Sequence, residues 1–209
     1  MLNTSVQVLN AKGEVVGVGV SNGTDGAWSV KLTTALTEGA NVLTARYSNQ
    51  AGEGPASAPA TTFTLDTSAT QFTMAALLSL DVATDTGATG DNITSSQKPT
   101  IKGIGAPNDS KVLVTFTATG ETTQTVEVTA SATGSFTATP TKDLSGSATG
   151  IKWSVSAVAV DAAGNQSTAI TSTVTVDTVG LATPTITKPQ SNLSVSPFVS
   201  GTAAAGETV

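Results

Sequence analysis

Four short motifs recur in the same order at a spacing near 110 residues, and this repetition constrains the 209-residue chain more than any other feature. Phe63-Thr64-Leu65-Asp66-Thr67 returns as Val174-Thr175-Val176-Asp177-Thr178, and Gly26-Ala27-Trp28-Ser29 as Gly134-Ser135-Phe136-Thr137. Asn49-Gln50-Ala51-Gly52-Glu53 is echoed by Asp161-Ala162-Ala163-Gly164-Asn165, and Pro99-Thr100-Ile101-Lys102-Gly103 by Pro197-Phe198-Val199-Ser200-Gly201. The period marks residues 67–177 as one complete repeat. Residues 1–66 read as the latter part of a repeat, and residues 178–209 as the opening part of the next. The chain is therefore expected to be cut inside a repeat at both ends.

Each repeat reads as β structure. Thr (39) and Ser (22) are abundant, Val is plentiful, and the helix-favouring Leu, Glu, Lys and Arg are scarce. In the middle repeat, alternation and turn residues place strands near 71–80, 99–105, 111–118, 123–130, 135–140, 151–160 and 167–177. Between them lie Asp85-Thr86-Gly87, Gly90-Asp91-Asn92, Pro107-Asn108-Asp109, Gly120, Gly134, Gly146 and Gly164-Asn165. Ile151, Trp153, Val155, Ala157 and Ala159 share one face of the sixth strand, which makes Trp153 a core residue. Trp28 and Phe136 are expected to plug the cores of their own repeats. Seven short strands in about 110 residues predict an all-β chain of tandem immunoglobulin-like Greek-key sandwiches, here without a disulfide.

Charge and missing residue types exclude several functions. The formal net charge is −6 with only 9 Lys and Arg, so no basic stripe is available for nucleic acid. The chain has neither His nor Cys, which excludes thiol nucleophiles, Ser-His-Asp triads and the usual zinc sites. The longest apolar run, Met74 to Leu80, is far too short to span a bilayer. Residues 1–20 lack the pattern of a secretory signal. Asp85 and Asp91 could serve glycoside hydrolysis in principle, but only eight aromatics are available to build a sugar cleft, and the chain is read as non-enzymatic.

The residues resemble the bacterial immunoglobulin-like repeats of giant surface adhesins. The likeness rests on Val176-Asp177-Thr178, on Asp85-Thr86-Gly87-Ala88-Thr89-Gly90-Asp91-Asn92-Ile93-Thr94, and on Lys98-Pro99-Thr100-Ile101-Lys102-Gly103. It rests also on Gly134-Ser135-Phe136 and Val160-Asp161-Ala162-Ala163-Gly164-Asn165, and it covers essentially the whole chain. It implies an extracellular stalk on a Gram-negative surface, supporting adhesion or biofilm formation. It also implies export by type I secretion and Ca2+ that stiffens the junctions between domains. The two repeats depart from each other, with Asn49 in place of Asp161 and Glu53 in place of Asn165.

Calcium takes six to eight oxygen ligands. Strand alternation brings Asn108, Asp109, Asp161 and Asn165 to the N-terminal end of the middle repeat, where Asp66 enters; Asp85, Asp91 and Asp177 gather at the opposite end. The same residues would equally serve as turn caps. Partners are neighbouring repeats of the chain, with residues 178–209 of one molecule expected to complete residues 1–66 of another by strand addition; partnerless ends are the alternative. A ligand-binding sandwich, or an accessory domain of a secreted enzyme or phage fibre, remains the competing reading.

Overall fold

The computed structural model describes residues 4–108, 110–180, 182–187 and 200–202. The chain divides into two units, Met1–Ser68 and Ala69–Val209, and every regular element among the described residues is a strand. In the first unit β1 (Ser5–Leu9) pairs with β2 (Val15–Val20) on one side and β3 (Gly39–Asn49) on the other. The short β4 (Gly52–Glu53) and β5 (Thr61–Leu65) both add to β3, giving one antiparallel sheet.

The second unit holds β6 (Leu77–Leu80), β7 (Ile93–Thr94), β8 (Ile101–Ile104), β9 (Lys111–Thr117) and β10 (Gln124–Thr129). Then come β11 (Phe136–Ala138), β12 (Ile151–Val160), β13 (Ile170–Val176) and a hairpin of β14 (Thr185–Thr187) with β15 (Ser200–Thr202). One sheet has the order β10-β9-β12-β13-β7, the other β11-β8-β6. Two sheets with this connectivity form the expected immunoglobulin-like sandwich.

The core lies between these sheets and follows period two. Trp153, Val155, Ala157 and Ala159 of β12 are buried, as are Val112, Val114 and Phe116 of β9 and Val174 and Val176 of β13. From the facing sheet come Leu78, Leu80, Ile101, Phe136 and Ala138. The indole N–H of Trp153 donates to the Ser145 carbonyl at 3.0 Å, so the largest core residue leaves no polar atom unpaired. Phe136 lies flat against the backbone of β8: a Cβ built on its register partner Gly103 would sit 2.0 Å from the ring. Glycine at 103 is what allows the aromatic ring to reach the core.

Two details of the second unit differ from the sequence expectation. The strand expected over 71–80 pairs only over Leu77–Leu80. Ahead of it the chain turns, because the Thr73 N–H donates to the Gly105 carbonyl and the Ala76 N–H to the Thr73 carbonyl, and Met74 points into solvent. The short β7 had no sequence signature; it runs parallel to β13, held by the buried Thr94, whose hydroxyl donates to the Thr84 carbonyl.

The two units share the register of their central strands. Val6 and Val8 oppose Tyr47 and Ala45, as Val114 and Phe116 oppose Ala157 and Val155, with β1 to β9 offset by 108 and β3 to β12 by 110. Their fillings differ. Gly17 and Gly19 of β2 leave space that Val30 and Leu32 fill, whereas the positions matching Gly19 and Val30 in the second unit are Val126 and Ala138. What the first unit lacks, among its described residues, is any counterpart of β6 and β8. Trp28 is therefore 44% exposed, joined only by an isolated bridge to Ser21, and it does not plug a core as expected; its counterpart Phe136 is 5% exposed.

The packing makes different costs expected at matched positions. Trp153→Ala should destabilise the second unit by about 3–5 kcal/mol, and Gly103→Ala by about 1–3 kcal/mol through overpacking against Phe136. Trp28→Ala should cost less than Trp153→Ala, because 44% of Trp28 already faces solvent while Trp153 is 1% exposed. Urea denaturation followed by circular dichroism checks all three.

Candidate functional site

The candidate chemistry lies in the loop carboxylates, and among the described residues the structure gives most of them a local task. Asp161 follows β12. Its Oδ1 accepts the N–H groups of Ala163 and Asn165, both at 2.9 Å, and its Oδ2 accepts from the Asn165 side-chain amide at 2.9 Å. The loop closes on itself through the Asp161 N–H to the Asn165 carbonyl and the Gly164 N–H to the Asp161 carbonyl, with Gly164 at φ +92°. The Asn165 amide and the loop N–H groups stabilise the carboxylate and hold its pKa below the ordinary 3.8.

The first unit builds the same turn from a neutral residue. Asn49 Oδ1 accepts the Ala51 N–H at 2.8 Å, as Asp161 accepts that of Ala163. Asp66 and Asp177 are likewise matched: Asp66 Oδ1 accepts the Ser68 N–H and Asp177 Oδ1 the Val179 N–H, each at 3.1 Å. Asp91 accepts the Ile93 N–H at 2.8 Å. These are the Asx turns that short polar side chains form wherever the chain reverses.

Of the N-terminal set, Asn108 and Asp161 line a common cleft of about 480 Å³, together with Thr70, Ser110 and Lys111. Asp66 belongs to the first unit, and Asp109 lies outside the described residues. A lysine in that cleft opposes a dication, although Lys111 is also 3.1 Å from Glu127. Among the described residues no group of three acidic side chains is placed to hold a metal.

Asp85 stands apart. It is 8% exposed; its Oδ2 accepts the Gly90 N–H at 2.6 Å, while its buried Oδ1 has no hydrogen-bond partner. An ionisable oxygen withdrawn from water without a partner is costly. Sequence reading paired Asp85 with Asp91 but had no means of seeing this burial, which depends on how the 81–95 segment folds over Thr94.

The family model for the bacterial Ig-like domain matches the chain twice, over residues 2–67 and 72–178. Among solved structures, the tetra-tandem repeat in the extending region of a large adhesion protein is 20% identical, covering 91% of this chain and 46% of its own, with a TM-score of 0.38. A bacterial ice-binding adhesin of 1.5 MDa is 19% identical over 91% of this chain and 58% of its own, TM-score 0.35. A two-domain fibronectin type-III segment of chicken tenascin is 13% identical over 84% and 85%, TM-score 0.37. The chain thus spans under half the length of the first of these. No curated protein sequence matches it significantly.

The lowered pKa of Asp161 has a defined consequence. A carboxylate with a folded pKa below its unfolded value stabilises the fold above the unfolded pKa, near 3.8, and loses that contribution as pH falls through the folded pKa. Asp161→Asn keeps an acceptor for the turn but cannot titrate. Its denaturation midpoint should therefore fall less steeply than the wild type's below about pH 4, with the two curves parallel at neutral pH.

Proposed function

The chain belongs to the bacterial Ig-like domain family, and from that membership we propose that it is a spacer segment of a bacterial surface adhesin, holding a distal binding element away from the cell. The observation that carries the reading is repetition itself: two consecutive family matches and one shared strand register. A ten-residue strand such as β12 spans roughly 30 Å at about 3.3 Å per residue, so repeats in series give reach. The negative charge and the Thr-rich surface favour solubility of such a fibre. On this reading the chain is non-enzymatic, extracellular and exported by type I secretion. It serves adhesion or biofilm formation, and its partners are neighbouring repeats, with residues 178–209 of another molecule as the complement of residues 1–66.

Calcium belongs to the same proposal. The support for it is the buried, unpartnered Asp85 Oδ1, an oxygen of the kind a hard cation takes. Asp85 and Asp91 with carbonyls of their loop would hold the ion, which would supply charge neutralisation at that end of the repeat. The Asp161 turn fits less well, because both carboxylate oxygens are already engaged and Lys111 lines the same cleft.

Thermal melting and small-angle scattering, in calcium and after chelation, test the reading. Calcium at about a hundred times the dissociation constant should stabilise by about 2.7 kcal/mol, raising the melting temperature by several degrees in wild type and in Asp161→Ala but not in Asp85→Asn. Loss of the response in Asp161→Ala alone would move the ion to the other end. No response in wild type removes calcium and leaves a metal-independent spacer. Stoichiometric capture of a defined glycan or matrix protein by the chain would replace the spacer with a ligand-binding module.

A further inference from the structure

We propose that Asn22-Gly23 is a self-modifying site. In the folded chain the Asn22 side chain cyclises onto the Gly23 backbone nitrogen and deamidates, and two backbone N–H groups of the same loop promote the step. This chemistry goes beyond the spacer reading and does not depend on it.

The loop after β2 reads Ser21-Asn22-Gly23-Thr24-Asp25-Gly26-Ala27-Trp28, and residues 22–27 are exposed to water. Asn22 is the one asparagine in the chain that precedes a glycine. At every other asparagine the next residue carries a Cβ that shields its backbone nitrogen, whereas glycine leaves that nitrogen open. Asn22 Oδ1 accepts the N–H groups of Thr24 at 3.1 Å and of Asp25 at 3.0 Å. When the Gly23 nitrogen adds to Asn22 Cγ, negative charge develops on that same Oδ1, where the two donors already stand. The attacking nitrogen belongs to the adjacent residue, so no second molecule has to be brought in. The new bond joins Gly23 N to Asn22 Cγ, and the Gly23 N–H proton and the side-chain amide nitrogen leave together as ammonia. Water then opens the succinimide ring at either carbonyl, leaving aspartate or isoaspartate at position 22.

Neighbouring and matched positions do not share this reactivity. Asp25 also precedes a glycine, but its Oδ1 accepts the Ala27 N–H at 2.9 Å, and that bond, with the Asn22 side-chain amide, holds its pKa below the ordinary 3.8. An ionised carboxylate repels a nucleophile and offers no neutral leaving group, so Asp25 resists ring closure at neutral pH. The matching loop of the second unit closes with the Ser131 N–H on the Ser135 carbonyl, as this one closes with the Asn22 N–H on the Ala27 carbonyl. There the Ser131 hydroxyl is the acceptor, taking the N–H groups of Thr133 at 3.3 Å and of Ser135 at 3.1 Å. A hydroxyl holds the turn and cannot deamidate, so this loop ages in the first unit and not in the second. Aspartate at position 22 adds a charge beside Asp25. Isoaspartate lengthens the backbone by a methylene and withdraws the acceptor from Thr24 and Asp25, which loosens the loop next to the bridge between Ser21 and Trp28.

The test is to hold the full chain in mildly alkaline, heavy-oxygen water at physiological temperature and to follow it by proteolytic mass spectrometry. The peptide containing residue 22 should gain the mass difference between –OH and –NH2, take up one heavy oxygen, and separate into aspartate and isoaspartate forms. It should do so at least about tenfold faster than peptides holding the other asparagines, because the open nitrogen and the placed donors act together. Gly23→Ala should slow the reaction at least about tenfold. Asn22→Ser should abolish it while leaving the circular dichroism of the fold unchanged, as Ser131 serves the matching loop. Urea, which dissolves the loop and its donors, should slow conversion of the wild type. Residue 22 staying intact in the folded chain, or converting at the rate of the other asparagines, overturns the proposal. So does a rate that urea leaves unchanged or raises, which would make the fold a shield for this bond. None of these outcomes touches the spacer reading, whose calcium response is located in the complete repeat.

Discussion

A β-sheet with one apolar face must bury that face against a second layer, and most features of this chain are consequences of that requirement. In the second unit the requirement is met by a single facing sheet. The β9–β12–β13 face receives β6, β8 and β11, and the approach of the two layers is set by a ring lying on a glycine, Phe136 on Gly103. The first unit has the same sheet and register, but its described residues supply only Val30 and Leu32 as partial cover over Gly17 and Gly19. Val6 and Val8 are buried beneath such cover while Trp28, Tyr47 and Phe63 remain exposed. The β1–β3 pairing matches that of β9 with β12, and the units differ chiefly in the layer that faces this sheet.

The loop carboxylates follow a second economy. Reversing a strand leaves backbone N–H groups with no ladder partner, and Asp or Asn two residues upstream supplies the acceptor. Asn49 and Asp161 perform this task at matched positions, and Asp66 and Asp177 do so at another pair. Because Asn suffices at one copy of the position, the negative charge of Asp161 is not required for the turn. Asp85 is different in kind: burial, not the turn, sets its environment, and half of its carboxylate is left without a donor.

Much of this was legible in the residues. Alternation along Ile151–Val160 places Trp153 in the core because a strand has a strict period of two and nothing local interrupts it. The boundaries of β9, β10 and β12 follow from flanking turn residues in the same way. Legibility ends where a residue's environment is made by distant chain. Gln71 to Ala76 would read as strand from composition, but the segment turns because Gly105, far along the chain, offers its carbonyl to the Thr73 N–H. Trp28 and Phe136 look equivalent in their motifs, yet one is exposed because the described residues of its unit hold no counterpart of β6 and β8. The buried oxygen of Asp85 has no local signature at all.

Equivalent positions solved with different side chains carry a further implication for how repeats recognise one another. Where the second unit has Val126 and Ala138, the first has Gly19 and Val30, so volume moves from one strand to the facing segment without changing the register. Such exchanges preserve packing only when both members come from the same repeat type, because a mismatched pair would overfill or leave a void. The contact between an aromatic and a glycine is the exception. Phe136 on Gly103 recurs in sequence as Trp28 and Gly201, and any Cβ at Gly103 collides with the ring. Position 103 must therefore stay glycine while Phe136 lies on it, whereas the paired volumes at Gly19 and Val30, or at Val126 and Ala138, vary together. The filling of the core is thus free to differ between two copies of one fold, and the glycine beneath the ring is not.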